Sequence, residues 1–203
     1  MAARQAEPPI LASASAVRAR LLAAAGVPVE QIASGVDEDR VKAAFGGLDH
    51  DALALALAEA KAAAIATAHP GRLVLGADQL LVMDDRRFDK PRDLGEAAAH
   101  LTAFAGREHE LVTAAVALRD GIVLWKRTER ARLTVRSLTP AAIDAYLAAV
   151  GPAALASVGA YQLEGPGAQL FERVEGDFFT VLGLPLLALL EFLRGEGVPA
   201  WAC

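Results

Sequence analysis

Apolar residues along the chain alternate between short continuous runs and helical spacing, and this predicts strands alternating with helices. Pro9-Ile10-Leu11-Ala12 reads as a short buried strand. Ser15 is placed to cap an amphipathic helix reaching about Ala25, with Leu21 and Leu22 in its buried stripe. Residues 27–32 predict a second strand. The alanine-rich stretch 51–68 predicts a long helix with Leu53, Leu55, Leu57, Ala60 and Ile65 as candidate buried positions, ended by His69-Pro70-Gly71. Residues 73–77 form a continuous apolar strand of the kind covered on both faces of a sheet, and residues 80–83 continue extended to a turn at Asp84-Asp85. Asp93 caps a helix over 94–105. Residues 109–118 and 122–135 flank Arg119-Asp120-Gly121, an Asp-Gly hairpin signal. Thr139 starts a helix to about Val150, residues 151–167 are glycine-rich and irregular, residues 170–174 read as a strand, and residues 185–194 form a closing helix.

Strands that alternate with helices and are then interrupted by one long hairpin predict an α/β fold with a mixed sheet. The 203 residues suit one large domain or two small lobes sharing a cleft, without internal repeats or low-complexity linkers. Hydrophobic residues make up 54% of the chain, which rules out disorder for the bulk of it. Aromatics are only 5%, so the core is built from alanine, leucine and valine, which favours close helix–sheet packing.

Net charge is -5 with no long run of either sign, so the basic stripe that holds polymeric nucleic acid is missing. A phosphate ligand would be held by a few placed cations, which points to a small molecule. The only cysteine is Cys203, which leaves no internal disulfide and no cysteine-rich metal site. Residues 1–7 lack an apolar stretch, and the longest apolar run, 181–190, contains Gly183 and Pro185 and is too short to span a bilayer. The expected compartment is the cytosol.

Four groups of residues carry candidate chemistry. Ser13-Ala14-Ser15-Ala16-Val17-Arg18 runs from a strand into a helix N-terminus, where free backbone N–H groups, two hydroxyls and an arginine suit a phosphate; ordinary capping beside a solvated arginine reads equally well. Glu38, in the polar loop Val36-Asp37-Glu38, offers an oxygen ligand to a hard cation such as Mg²⁺, or is merely solvated. Asp78 sits where the apolar strand ends, the place at which open α/β sheets bind ligands, and no helix follows for it to cap. A carboxylate there holds a metal or takes a proton from an attacking water. Lys61, flanked by alanine on the long helix, and Lys90, before Pro91, either neutralise a polyphosphate or snorkel at the surface. His109 has no partner acid at ligand spacing and reads as structural, and the four histidines lack zinc-site spacing.

Taken in order along the chain, these segments resemble the Maf family of nucleotide pyrophosphatases. The matching pieces are Leu11-Ala12-Ser13-Ala14-Ser15 with Arg18 and Leu21-Leu22, Asp37-Glu38, Ala58-Glu59-Ala60-Lys61-Ala62, Gly76-Ala77-Asp78-Gln79, Lys90-Pro91, Gly106 with His109 and Thr113, Gly159-Ala160-Tyr161, Glu164-Gly165 and Val181-Leu182-Gly183-Leu184-Pro185-Leu186. The resemblance implies an inosine-triphosphatase-like α/β fold: a single domain with its core at 8–197, a mixed central sheet flanked by helices, and two lobes around an active-site cleft. It implies hydrolysis of nucleoside triphosphates, non-standard or modified ones above all, to the monophosphate and pyrophosphate. Asp78 would be the proton acceptor, and Glu38 and Asp78 would lie near a divalent cation (Mg²⁺, Mn²⁺ or Co²⁺). Ser13, Ser15, Arg18, Lys61, Gln79, Lys90 and Glu164 would lie on the substrate side. A homodimer and a link to cell-division arrest are implied as well.

Some positions depart from the family pattern. Ser-Pro-Arg-Arg is common after the first strand, whereas Ser15-Ala16-Val17-Arg18 stands here with one arginine fewer. A common Lys-Ala-Gly reads Ser157-Val158-Gly159. Apolar Val17, Gln79, Glu164 and Leu170-Phe171-Glu172-Arg173 look more like the branch that hydrolyses 7-methyl-GTP, and Glu164 would accept hydrogen bonds from a guanine-type edge. Two other readings compete: a non-catalytic nucleotide-binding regulator of septum formation, favoured by the missing arginine, and a phosphomonoesterase using Asp78 as nucleophile. The second wants another nearby acid, which Asp78-Gln79-Leu80 does not supply.

Overall fold

The computed structural model describes residues 7–45 and 49–198. Cys203 and residues 1–6, on which the expectations about thiols and a leader rest, lie outside the described residues. The elements are β1 (Ile10–Leu11), α1 (Ala16–Ala24), β2 (Glu30–Gln31), α2 (Glu38–Phe45), α3 (His50–Ala66), β3 (Val74–Met83), β4 (Arg86–Phe88), α4 (Leu94–Phe104), β5 (Glu108–Arg119), β6 (Ile122–Val135), α5 (Pro140–Val150), β7 (Phe171–Glu175), α6 (Phe178–Val181) and α7 (Leu186–Gly195). Two 3₁₀ stretches, Gly151–Ala156 and Pro166–Leu170, occupy the segment read as irregular.

Seven strands form one sheet in the order β2-β1-β3-β5-β6-β7, with β4 paired to β3. β1 runs parallel to β2 and β3, while β3 with β4 and β6 with β7 are antiparallel, so the sheet is mixed, as expected. Both tight hairpins place φ above zero at their two central residues, Asp84 and Asp85 in one and Asp120 and Gly121 in the other. Asp and Gly tolerate that conformation, and the resulting twist matches the strands they join.

Internal contacts divide the chain into two compact units. The first takes the chain up to Asp78, residues 113–129 and the chain from Gly183 onward. The second takes residues 79–112 and 130–182. In the first unit, α3 buries Leu53, Ala54, Leu57, Ala58, Lys61, Ala62 and Ile65, a stripe at helical spacing. Gly76 shows how closely α3 lies on β3: a Cβ there would stand 2.1 Å from the Ala58 carbonyl oxygen and 2.9 Å from Ala62 Cβ. The alanine-rich composition serves this contact. The second unit has its own core, in which Phe88, Phe104, Tyr161 and Phe171 pack with Leu81, Leu101, Leu111 and Leu133.

Four readings need correction. Glu38 opens helix α2 and does not lie in a loop; Asp37 Oδ1 accepts from Arg40 N at 3.1 Å, and the helix buries none of its residues, so it left no apolar stripe to find. Asp78 does not end a strand, because β3 continues to Met83; what ends beside it is β1, whose pairing with β3 stops at Leu11 opposite Leu75. β2 is two exposed residues, shorter than the predicted 27–32. Leu21, Leu55 and Ala60 are only partly buried, because the stripes run through Leu22 and through Ala54, Ala58 and Ala62. Helices α2 and α6 and strand β4 were not expected.

Candidate active site

The first unit gathers six of the predicted residues. Where β1 gives way to α1, Ser15 caps the helix by accepting from Arg18 N at 3.4 Å, and Ser15 N donates to Ser13 Oγ at 3.2 Å. Arg18 then turns inward, 9% exposed. Its Nη1 donates to Ser13 Oγ at 3.2 Å and to the Ala77 carbonyl at 2.9 Å, and its Nε donates to the Gly183 carbonyl at 2.7 Å. Arg18 is therefore not the solvated arginine of the bland reading. It ties the β1–α1 loop to β3 next to Asp78 and to the turn before α7.

Lys61 is the centre of the group. Its stripe of α3 faces β3, so its ammonium is carried inward, 8% exposed. Nζ lies 2.5 Å from Asp78 Oδ1 and 2.7 Å from Glu38 Oε1. One cation thus bridges a buried carboxylate, Asp78 at 6% exposure, and a half-exposed one at the start of α2. Burial pushes the Asp78 carboxyl above the ordinary carboxylate range; Lys61 and Arg18 pull it back, while Glu38 adds to the rise. The outcome is a carboxyl that holds its proton more readily than a surface aspartate. Glu38 also supplies the second acid that the sequence neighbours of Asp78 lack, so the argument raised against a phosphomonoesterase on that ground does not stand.

Two carboxylates converging on one cation form an all-oxygen donor pair. Mg²⁺ is commonly held by one or two carboxylates together with substrate phosphates and water, and Glu38 with Asp78 fits that pattern. Among the described residues no group of three or more His, Cys, Asp or Glu converges, so the protein alone offers no complete cage.

The other predicted residues belong to the second unit. Gln79 Nε2 donates to the carbonyls of Thr180 and Val181 at 3.0 and 3.1 Å, which ties β3 to the end of α6. Lys90 is exposed in the loop after β4, and Glu164 is exposed in the turn before the second 3₁₀ stretch. His109 is structural, as expected: it is 2% exposed, Nε2 lies 2.6 Å from Tyr161 Oη, and burial lowers its pKa to about 4. Sequence reasoning missed the Gly183 carbonyl that anchors Arg18, and Gln31, whose side chain reaches the β1–α1 loop. Neither carries a signal in a single sequence, since both depend on which backbone lies alongside.

The sequence profile of the Maf-like protein family matches residues 8–196, and the chain belongs to that family. It is 50% identical over 190 residues to the 7-methyl-GTP pyrophosphatase of Mesorhizobium japonicum, covering 93% of this chain and 96% of the relative. It is 50% identical over 194 residues to the nucleoside triphosphate pyrophosphatase of Paramagnetospirillum magneticum, covering 94% and 100%. It is 48% identical over 194 residues to the protein of the same name from Rhodopseudomonas palustris, covering 96% of each.

Proposed function

We infer that this chain is a hydrolase acting on acid anhydrides, a nucleoside triphosphate pyrophosphatase that converts an NTP and water to the monophosphate and pyrophosphate. The observation that carries the reading is the buried Lys61 bridging Glu38 and Asp78 beside the loop held by Arg18. Relatives of nearly full length named for this activity support it. The regulator reading is not favoured, since relatives matched over nearly their full length are named for pyrophosphatase activity.

In the proposed reaction a water oxygen bonds to the α-phosphorus, the bond from that phosphorus to the α–β bridging oxygen breaks, and pyrophosphate leaves with the bond's electrons. Asp78 accepts the proton of the attacking water. Ser13, Ser15 and the first amides of α1 bind phosphate oxygens, assisted by the positive end of the helix. Lys61 offsets polyphosphate charge while holding Asp78 in place, and Arg18 orients the loop. Glu38 and Asp78 would hold a divalent cation (Mg²⁺, Mn²⁺ or Co²⁺), which when bound supplies further charge neutralisation. Lys90, Gln79 and Glu164 are assigned to the substrate as well, with Glu164 reading a guanine-type edge. The reading also includes an inosine-triphosphatase-like fold, a homodimer and a cytosolic setting. Among the described residues no helix is long and apolar enough to cross a membrane.

The test is pyrophosphate release from 7-methyl-GTP, GTP, dTTP and UTP with each of the three metals. Metal-dependent release, abolished by chelator and fastest with 7-methyl-GTP, is the expected result. A clear preference for dTTP or UTP overturns the base assignment, and orthophosphate as the first product overturns the reaction class.

A further inference from the structure

Gln31 is a surface residue on a two-residue edge strand, yet its side-chain amide is committed. Nε2 donates to the Ser13 carbonyl at 2.9 Å and to the Ser15 carbonyl at 3.1 Å. Register puts it there: β2 runs parallel to β1 with Gln31 opposite Leu11, two residues short of Ser13. The pairing itself does not need the side chain, because backbone bonds from Glu30 N to Pro9 O and from Ile32 N to Leu11 O hold β2 in place. A trans peptide points its C=O and the following N–H in opposite directions. Pinning the Ser13 and Ser15 carbonyls toward Gln31 therefore turns the Ala14 and Ala16 N–H groups away from it. The loop's hydroxyl side is fixed separately, by the Arg18 guanidinium on Ser13 Oγ.

We propose that Gln31 is a positioning residue for the phosphate loop: its amide locks two peptide planes so that the Ala14 and Ala16 N–H groups are presented to a nucleotide phosphate. The proposal rests on the pyrophosphatase reading above. Gln31 touches no reacting atom and acts only through the loop, so its effect falls on binding shared by ground and transition states.

Three variants separate donors from shape. Gln31→Met keeps the length without donors, Gln31→Glu replaces donors with acceptors facing two carbonyls, and Gln31→Lys restores donors. Each is read by KM and kcat for pyrophosphate release and by amide hydrogen exchange of residues 13–18. Gln31→Met is expected to raise KM about three- to tenfold with kcat altered less than about twofold, and Gln31→Glu to raise KM further. Gln31→Lys recovers most of the loss. Loop exchange accelerates in the Met and Glu variants and not in the Lys variant. Unchanged KM and exchange in both donor-free variants overturns the proposal, as does a Lys variant no better than Met. A wild type that releases no pyrophosphate from any nucleotide takes down the functional reading instead, and loop exchange alone then decides whether Gln31 orders residues 13–18.

Discussion

Asp78 shows how one residue is tuned by opposing effects. Burial raises its pKa, and Lys61 and Arg18 reduce that rise. A base acts when deprotonated, so kcat/KM should climb as pH rises through the Asp78 pKa. Lys61→Met removes the stronger of the two cationic effects, and the rising limb should move to higher pH while kcat/KM falls on the order of 10²–10³-fold. A pH–rate profile of both proteins checks it. The same carboxyl bears on stability. With the folded pKa raised, its contribution is present below the unfolded pKa and lost as pH rises through the folded one. Asp78→Asn should therefore lose activity by about 10²–10⁴-fold yet unfold at pH 7 no lower than wild type, an advantage that shrinks toward acid pH in thermal melts. The residue types of this site were legible in the sequence, and so was their order. What was not legible was that a lysine among alanines is buried: α3 turns the stripe carrying Ala54, Ala58, Lys61 and Ala62 toward β3, and composition alone leaves the facing side open.

At the scale of elements, the contact of α3 on β3 at Gly76 is the tightest constraint on the site, because it sets the distance between Lys61 and Asp78. Gly76→Ala meets backbone that cannot swing aside, so a loss of about 3 kcal/mol and a fall in activity are expected from denaturant unfolding and kinetics. In the second unit, β5 presents His109 to Tyr161 and Phe104, 2% exposed. Its folded pKa of about 4 lies below the ordinary 6.5, so its share of stability is whole above 6.5 and lost as pH falls through about 4. That window should cost roughly 3 kcal/mol, and His109→Gln should flatten it in pH-dependent unfolding. Strongly periodic or strongly capped elements were readable: α3, α4, α5 and the β5–β6 hairpin follow their caps and turns. Helix α2 and strand β4 were not, and β2 was drawn too long, because these elements are short and are stabilised by pairing or a single Asp37 cap.

For the whole molecule, a net charge of -5 without a long basic run is the ground for proposing free nucleotides as the substrate. Excess single-stranded DNA should leave pyrophosphate release unchanged, whereas inorganic pyrophosphate should compete; strong inhibition by the polymer would contradict the charge argument. The central claim concerns where the triphosphate is cut. Hydrolysis in ¹⁸O-labelled water, with products separated and their label located by mass spectrometry, reads it directly. The account predicts label in the nucleoside monophosphate, unlabelled pyrophosphate, and neither product forming at a comparable rate with Asp78→Asn. Label in pyrophosphate or in orthophosphate would mean attack at another phosphorus and would contradict it.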